Sequence, residues 1–118
     1  MTEGMVSNCL FCKIIDKKIS ATIEYENDSL IAIQDINPQA PVHILVFPKR
    51  HIAHVSDIEE KDQVLMGEMI FQAKKMACEH KLEEGFRLVF NNGPKAGQSV
   101  FHVHLHLLGG RQMSWPPG

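Results

Sequence analysis

The chain has 118 residues, 44% hydrophobic and 22% charged, which suits one compact domain and leaves no room for a dinucleotide-binding domain beside a catalytic one. Twelve Lys and Arg against fourteen Asp and Glu give a formal charge of −2, and no like-charge block is long enough to act as a nucleic-acid arm, so nucleic acid is not an expected partner. Seven histidines beside one Trp and one Tyr are the anomaly to explain.

Residues 1–8 read as an N-terminal extension without the basic region and apolar stretch of a signal peptide. Apolar runs such as Ile44 to Phe47 are far shorter than the roughly 20 residues that span a bilayer, so the expectation is no membrane segment and a cytoplasmic, reducing setting. In that setting the odd count of three cysteines makes Cys9-x-x-Cys12 a candidate metal or redox pair and leaves Cys78 over.

Phe11 to Asp16 reads as a short helical turn carrying Cys12. A β-like segment begins at Ile23 to Tyr25, meets the turn pair Asn27-Asp28, and is followed by Leu30 to Ile33, which stops at Asp35. Asn37-Pro38 and Pro41 enforce a loop. Val42 to Phe47 then reads as a mostly buried strand ended by Pro48, with His43 at its start. Ser56-x-x-Glu59 has the form of a capping box ahead of one long helix over roughly 60 to 81, whose apolar face comprises Leu65, Met66, Met69, Ile70, Ala73, Met76 and Ala77. Arg87 to Phe90 reads as a strand, Asn91 to Gln98 as a polar, Gly-containing loop, and Val100 to Leu108 as the last strand. The order predicts an α+β domain with a mainly antiparallel sheet and the helix on one face, residues 109–118 forming a tail.

From His102 onward the last strand alternates strictly, so His102, His104 and His106 share one face and Val103, Leu105 and Leu107 the other. Same-face neighbours on a regular strand stand about 6.6 Å apart and the outer pair about 13 Å apart. Metal–nitrogen bonds of roughly 2.0–2.1 Å do not let all three converge on one ion, so the three imidazoles are expected to have different roles. His54 and His80 have no visible partner and read as surface residues.

The run His102-Val103-His104-Leu105-His106-Leu107-Leu108 resembles the histidine triad superfamily of nucleotide hydrolases and transferases. The likeness extends through Gly97-Gln98-Ser99-Val100, Asp35-Ile36-x-Pro38-Gln39-Ala40-Pro41-x-His43 and Pro48-Lys49-x-His51. The ending, Gly109-Gly110-Arg111-Gln112-Met113-x-Trp115-Pro116-Pro117-Gly118, resembles the Hint branch of purine nucleoside phosphoramidases. The resemblance implies a HIT-like fold over residues 9–118: a five-stranded, mainly antiparallel sheet, one long helix and a short N-terminal helix.

By motif position it makes His104 the nucleophile that takes the nucleotidyl group, supported by His106, His102, His43 and Ser99. An attacking imidazole must be neutral and needs an orienting hydrogen bond at its other nitrogen. Gly97, Ser99 and His106 form the expected phosphate clamp, Gln98, Val100 and His104 are further implied nucleotide-binding residues, and Asp35, with Ile36 beside it, accepts from the ribose hydroxyls. Phe11, Ile19 and Ile33 stand around the purine, and Asn91 on the ribose–phosphate side. The implied ligands are AMP, GMP and amine- or aminoacyl-linked AMP.

The same resemblance implies no cofactor for catalysis but a structural Zn²⁺ on Cys9, Cys12, His51 and His102, and a homodimer whose Trp115 tail lies near the partner's site. Competing readings are a nucleotide-binding scaffold with little turnover, which three intact triad histidines argue against, and dinucleoside polyphosphate hydrolysis as in the Fhit branch. The Fhit branch typically has glutamine two residues after the third histidine, where this chain has Leu108.

Overall fold

In the computed structural model, which describes residues 6–118, the elements follow the predicted order; the first five residues of the expected N-terminal extension lie outside the described residues. Helix α1 (Leu10–Ile15) starts at Cys9, whose sulfur accepts the N–H of Cys12, and it buries Phe11, Cys12 and Ile14. Strands β1 (Ile23–Glu26) and β2 (Leu30–Gln34) are joined by a turn in which Asn27 Oδ1 accepts the N–H groups of Ser29 and Leu30. Strand β3 (Val42–Pro48) precedes helix α2 (Gln63–Glu79), and β4 (Phe86–Phe90) and β5 (Leu105–Gly109) close the domain. The sheet order is β1-β2-β3-β5-β4, and every neighbouring pair is antiparallel.

Side-chain parity divides the core between the two faces of the sheet. Leu30, Ala32, Ile44, Val46, Leu105 and Leu107 pack on Met69, Ala73, Met76 and Ala77 of α2. Ile31, Ile33, Leu45 and Phe47 pack on Phe11, Cys12 and Ile14 of α1. Burial on both sides is why β3 reads as a continuous apolar run and not an alternating one. His43 and His106 lie on the α1 face, His43 in phase with Leu45, and His106 paired with Leu45 across β3 and β5. At Gly109 a Cβ would stand 2.6 Å from Leu82 Cδ1, so glycine lets β5 pass under the α2–β4 turn.

Three boundaries differ from the sequence reading. The capping box joins Glu59 and Asp62, not Ser56 and Glu59, and Glu60–Asp62 forms a 3₁₀ turn, so α2 begins at Gln63. Buried Asp62 is held by the Arg50 guanidinium, a tertiary contact that sets the helix start, while Ser56 sits in a separate turn and donates its N–H to Asn92. At the other end Lys81 takes a left-handed conformation (φ 60°) and the Leu82 N–H returns to the Ala77 carbonyl, ending the helix at Glu79.

The last strand starts at Leu105, not Val100. Upstream backbone groups have partners outside the ladder: Val103 N–H donates to Ile52 O, and the Val100 and His102 carbonyls accept from the side chains of Gln98 and His104. The shared face of the three histidines holds nevertheless, since His102 and His104 both meet Phe11 edge-on.

Candidate functional site

Five of the seven histidines fall into two groups on the α1 side of the sheet. His104 donates Nδ1–H to the His102 carbonyl at 2.8 Å, which leaves a lone pair on Nε2. Phe11 backs the ring edge-on, with centroids 5.0 Å apart, and is itself stacked on Phe47 at 4.2 Å. Burial holds the imidazole below its ordinary range, with the His102 hydrogen bond and the Asp35 charge acting the other way. A neutral, oriented imidazole results, which is the form a nucleophile needs.

His106 lies beside it, ring centroids 4.9 Å apart, and its Nδ1 is 2.9 Å from His43 Nε2. Asp35 Oδ2 is 3.4 Å from the same His43 nitrogen. Burial, with the nearby His104 and His43, pushes His106 down to about 4. An unfolded chain therefore protonates His106 near 6.5 while the folded chain does not. The stability contributed by neutral His106 is intact above that value and is lost as pH falls toward 4. In urea melts from about pH 7 to about pH 4.5, His106→Asn is therefore expected to lose stability less steeply than the wild type; parallel losses would overturn this assignment.

The second group is Cys9, Cys12, His51 and His102. His102 Nδ1 is 3.4 Å from Cys9 Sγ and 3.6 Å from Cys12 Sγ; His51 Nδ1 is 3.4 Å from Cys12 Sγ and 3.1 Å from His102 Nδ1. Tetrahedral zinc with Zn–N near 2.05 Å and Zn–S near 2.3 Å would have edges of about 3.3 Å between nitrogens and about 3.6 Å between nitrogen and sulfur. These separations match the edges of one coordination tetrahedron, and the four donor atoms lie within 4.8 Å of one another. The Cys12 sulfur also accepts the Val6 N–H, which favours its thiolate, and the Cys9 sulfur accepts the Cys12 N–H. His102 Nε2–H donates to Pro48 O at 2.7 Å, directing Nδ1 at the sulfurs. Without a cation, burial raises the Cys12 thiol to about 11 and lowers His102 to about 4. The donor set fits Zn²⁺, which when bound would tie α1 and the segment after β3 to the start of the histidine run.

Among the expected phosphate contacts, Gly97 adopts the left-handed conformation (φ 93°) at the end of a 3₁₀ turn, Pro94–Ala96, and Ser99 is exposed. The Gln98 side chain is committed elsewhere: its oxygen accepts Gly93 N–H, and its nitrogen donates to Ala53 O and Val100 O. Whatever Gln98 offers a ligand comes from its main chain. Asp35 is partly buried, Ile36 is 96% exposed, Ile19 is exposed, and Phe11 and Ile33 are buried. Asn91 is half-buried at the exit of β4, and Val100 is half-buried against the α1-side core.

His54 and His80, read as unpartnered, have carboxylate partners at 3.0 Å: Asp57 for His54 and Glu24 for His80. His80 caps the end of α2, which brings it to Glu24 on β1. The main-chain groups that orient the site, namely the carbonyls of Pro48 and His102 and the N–H of Gln39, carry no signal in the sequence, because every residue has such groups and no residue type flags them. Two surface clefts, one lined by Leu82, Arg87 and Met113 and the other by Tyr25 and Phe71, contain none of the histidines and cysteines described above. Chemistry, not concavity, marks the site.

The chain is similar to known proteins over most of its length. The HIT domain model matches residues 16–113. A HIT family hydrolase from Legionella pneumophila is 52% identical, with a TM-score of 0.92 covering 94% of this chain and all of that one. A 14 kDa zinc-binding protein of Zea mays is 47% identical over 114 residues, 95% of this chain and 89% of its own. A histidine triad nucleotide-binding protein from Candida albicans is 31% identical, with a TM-score of 0.79 covering 94% and 85% of the two chains. The family match over most of the chain, together with the triad placed on one face of a five-stranded antiparallel sheet, shows that this chain belongs to the HIT domain family.

Proposed function

We propose that this protein hydrolyses purine nucleoside 5′-phosphoramidates through a nucleotidyl-histidine intermediate on His104. The observation that carries the reading is the His104 Nδ1–H to His102 carbonyl bond, which leaves Nε2 unprotonated beside His106. In the first step the Nε2 lone pair attacks the α-phosphorus, the P–N bond breaks, and the amine leaves with a proton delivered through Ser99. His106 and the Gly97–Ser99 backbone offset the charge growing on the phosphoryl oxygens. In the second step water attacks the same phosphorus and gives up a proton to solvent, balancing the one delivered to the amine, the bond to His104 breaks, and AMP departs. Asp35, with Ile36 beside it, accepts hydrogen bonds from the ribose hydroxyls, Ile19 lines the purine with Phe11 and Ile33 behind it, and Asn91 holds the ribose–phosphate side.

Adenosine 5′-monophosphoramidate incubated with the protein is expected to give AMP and ammonia, and rapid alkaline quenching, which spares the acid-labile N–P bond, followed by peptide mass analysis kept at alkaline pH to find an adenylyl group on the peptide containing His104. AMP formation without any adduct, or no hydrolysis at all, would refute the pathway. In this reading zinc on Cys9, Cys12, His51 and His102 is structural and contributes no step, and a cytoplasmic setting keeps both cysteines reduced.

A homodimer completes the proposal. Trp115 is 84% exposed on a tail held by Arg87, which donates to Ser114 O, and by Arg111, which donates to Gln39 O. A large aromatic ring fixed in that position suits an interface. Sedimentation at micromolar concentration is expected to give twice the 13.3 kDa chain mass, and a species of 13.3 kDa would contradict it.

A further inference from the structure

Asp35, His43 and His106 bring one carboxylate and two imidazoles within 4.8 Å, a donor set with two possible uses. Two histidines and a carboxylate are a common metal-binding combination. They also make a proton relay. The two uses require opposite tautomers of His43, and the main chain decides between them.

The Gln39 N–H points at His43 Nδ1 across 3.0 Å. An amide N–H only donates, so His43 Nδ1 carries its lone pair and the ring proton sits on Nε2. That proton faces His106 Nδ1 at 2.9 Å and Asp35 Oδ2 at 3.4 Å, and the shorter contact takes the main share. His106 Nδ1 is then an acceptor, and the His106 proton lies on Nε2, on the far side of the ring. A metal ion bound by His43 Nε2 would need a lone pair there, moving the proton to Nδ1 against the Gln39 N–H.

The anchor is itself held in place. Gln39 O accepts from Arg111 Nε at 2.9 Å, and the Gln39 side chain donates to Asn37 O at 3.0 Å. Asp35 Oδ1 accepts Asn37 N–H at 2.9 Å, closing the same loop.

We infer that the Gln39 main-chain N–H fixes the protons of His43 and His106, so that the pair presents Nε2–H of His106 as a permanent donor and does not ligate a metal ion. Gln39 is a positioning residue in this scheme, acting through its backbone. The role of the His106 donor toward a phosphoryl oxygen rests on the phosphoramidase reading; the proton positions do not.

Long-range ¹H–¹⁵N NMR on the full chain with ¹⁵N-labelled histidine and one equivalent of zinc reads the tautomers directly, with His43→Gln and His106→Asn assigning the signals. Both rings are expected as Nε2–H tautomers at about pH 7.5, where neutral imidazole dominates. A Nδ1–H tautomer at either ring overturns the inference. A second equivalent of zinc should leave both signals in place; a shift at both would show a metal site and overturn it equally.

In His43→Leu the His106 tautomer should become mixed and kcat fall about 10- to 100-fold, as when an orienting partner of a site imidazole is removed. The amide of His43→Gln can still donate to His106 Nδ1 and should restore the Nε2–H tautomer and most of kcat. An unchanged His106 tautomer in His43→Leu would again overturn it. A chain with these tautomers that leaves phosphoramidates intact would refute the proposed reaction and leave the relay standing.

Discussion

His104→Ala and His104→Gly are expected to lower kcat for adenosine 5′-monophosphoramidate by about 10⁴-fold or more, while AMP affinity stays within a few-fold of wild type. The size follows from what is removed. A covalent intermediate divides one displacement at phosphorus into two, and without the nucleophile only the positioning groups remain: His106, the Gly97 turn and Ser99. Binding should survive because the ring is buried against Phe11 and most of the proposed nucleotide contacts, among them Asp35, Gly97, Ser99 and His106, remain. Turnover and AMP titration calorimetry on the same preparations check both halves. Equal rates in wild type and both variants would remove His104 from the chemistry. A parallel loss of AMP binding would mean that the substitutions had disturbed the site as a whole.

Removing the metal site should have the larger effect on stability. Purified without a His tag, the protein is expected to hold close to one equivalent of zinc, and Cys12→Ser less than one-tenth. If free zinc exceeds its dissociation constant about 1,000-fold, binding only the folded chain adds about 4 kcal/mol. At roughly 4–8 °C per kcal/mol for a chain near this size, Tm should fall by more than about 10 °C in Cys12→Ser or after chelation of the wild type. Binding must displace the Cys12 proton, held up to about 11 by burial, so the zinc-dependent gain should shrink as pH is lowered. The effect reaches the active site through one residue. His102 offers its ring to the metal site and its carbonyl to His104 Nδ1, so chelation should lower kcat as well as Tm. Less than one-tenth equivalent of zinc in wild type after supplementation, with Tm unmoved by chelator, would overturn the zinc assignment.

Much of this site is legible in the sequence because short-range rules govern it. Strand parity puts His102, His104 and His106 on one side of Val103, Leu105 and Leu107, and that side survives even though the regular ladder begins only at Leu105. The doubly apolar run at β3 and the periodic apolar face of α2 predict a sheet with helical cover, and both are present, although Ile70 of that face is exposed. The Cys9-x-x-Cys12 spacing supplies half a metal site.

Other features depend on groups distant in sequence. The start of α2 follows Asp62 and its Arg50 partner, and a local motif at Ser56 pointed to the wrong cap. His80 finds Glu24 across 56 residues, a pairing with no local signature. Gln98, named for a ligand, has its side chain absorbed by Gly93, Ala53 and Val100.

Residue types and their periods determine by themselves which chemistry is available here: three imidazoles in phase, two thiols at metal spacing, and a core with two apolar faces. They do so because side-chain direction along a strand or helix is a local property of the backbone. Only the tertiary structure decides which nitrogen of each imidazole holds its proton and which faces a reacting atom. Those choices rest on the carbonyls of His102 and Pro48 and the N–H of Gln39, groups that every residue carries and that acquire meaning only where the folded chain places them.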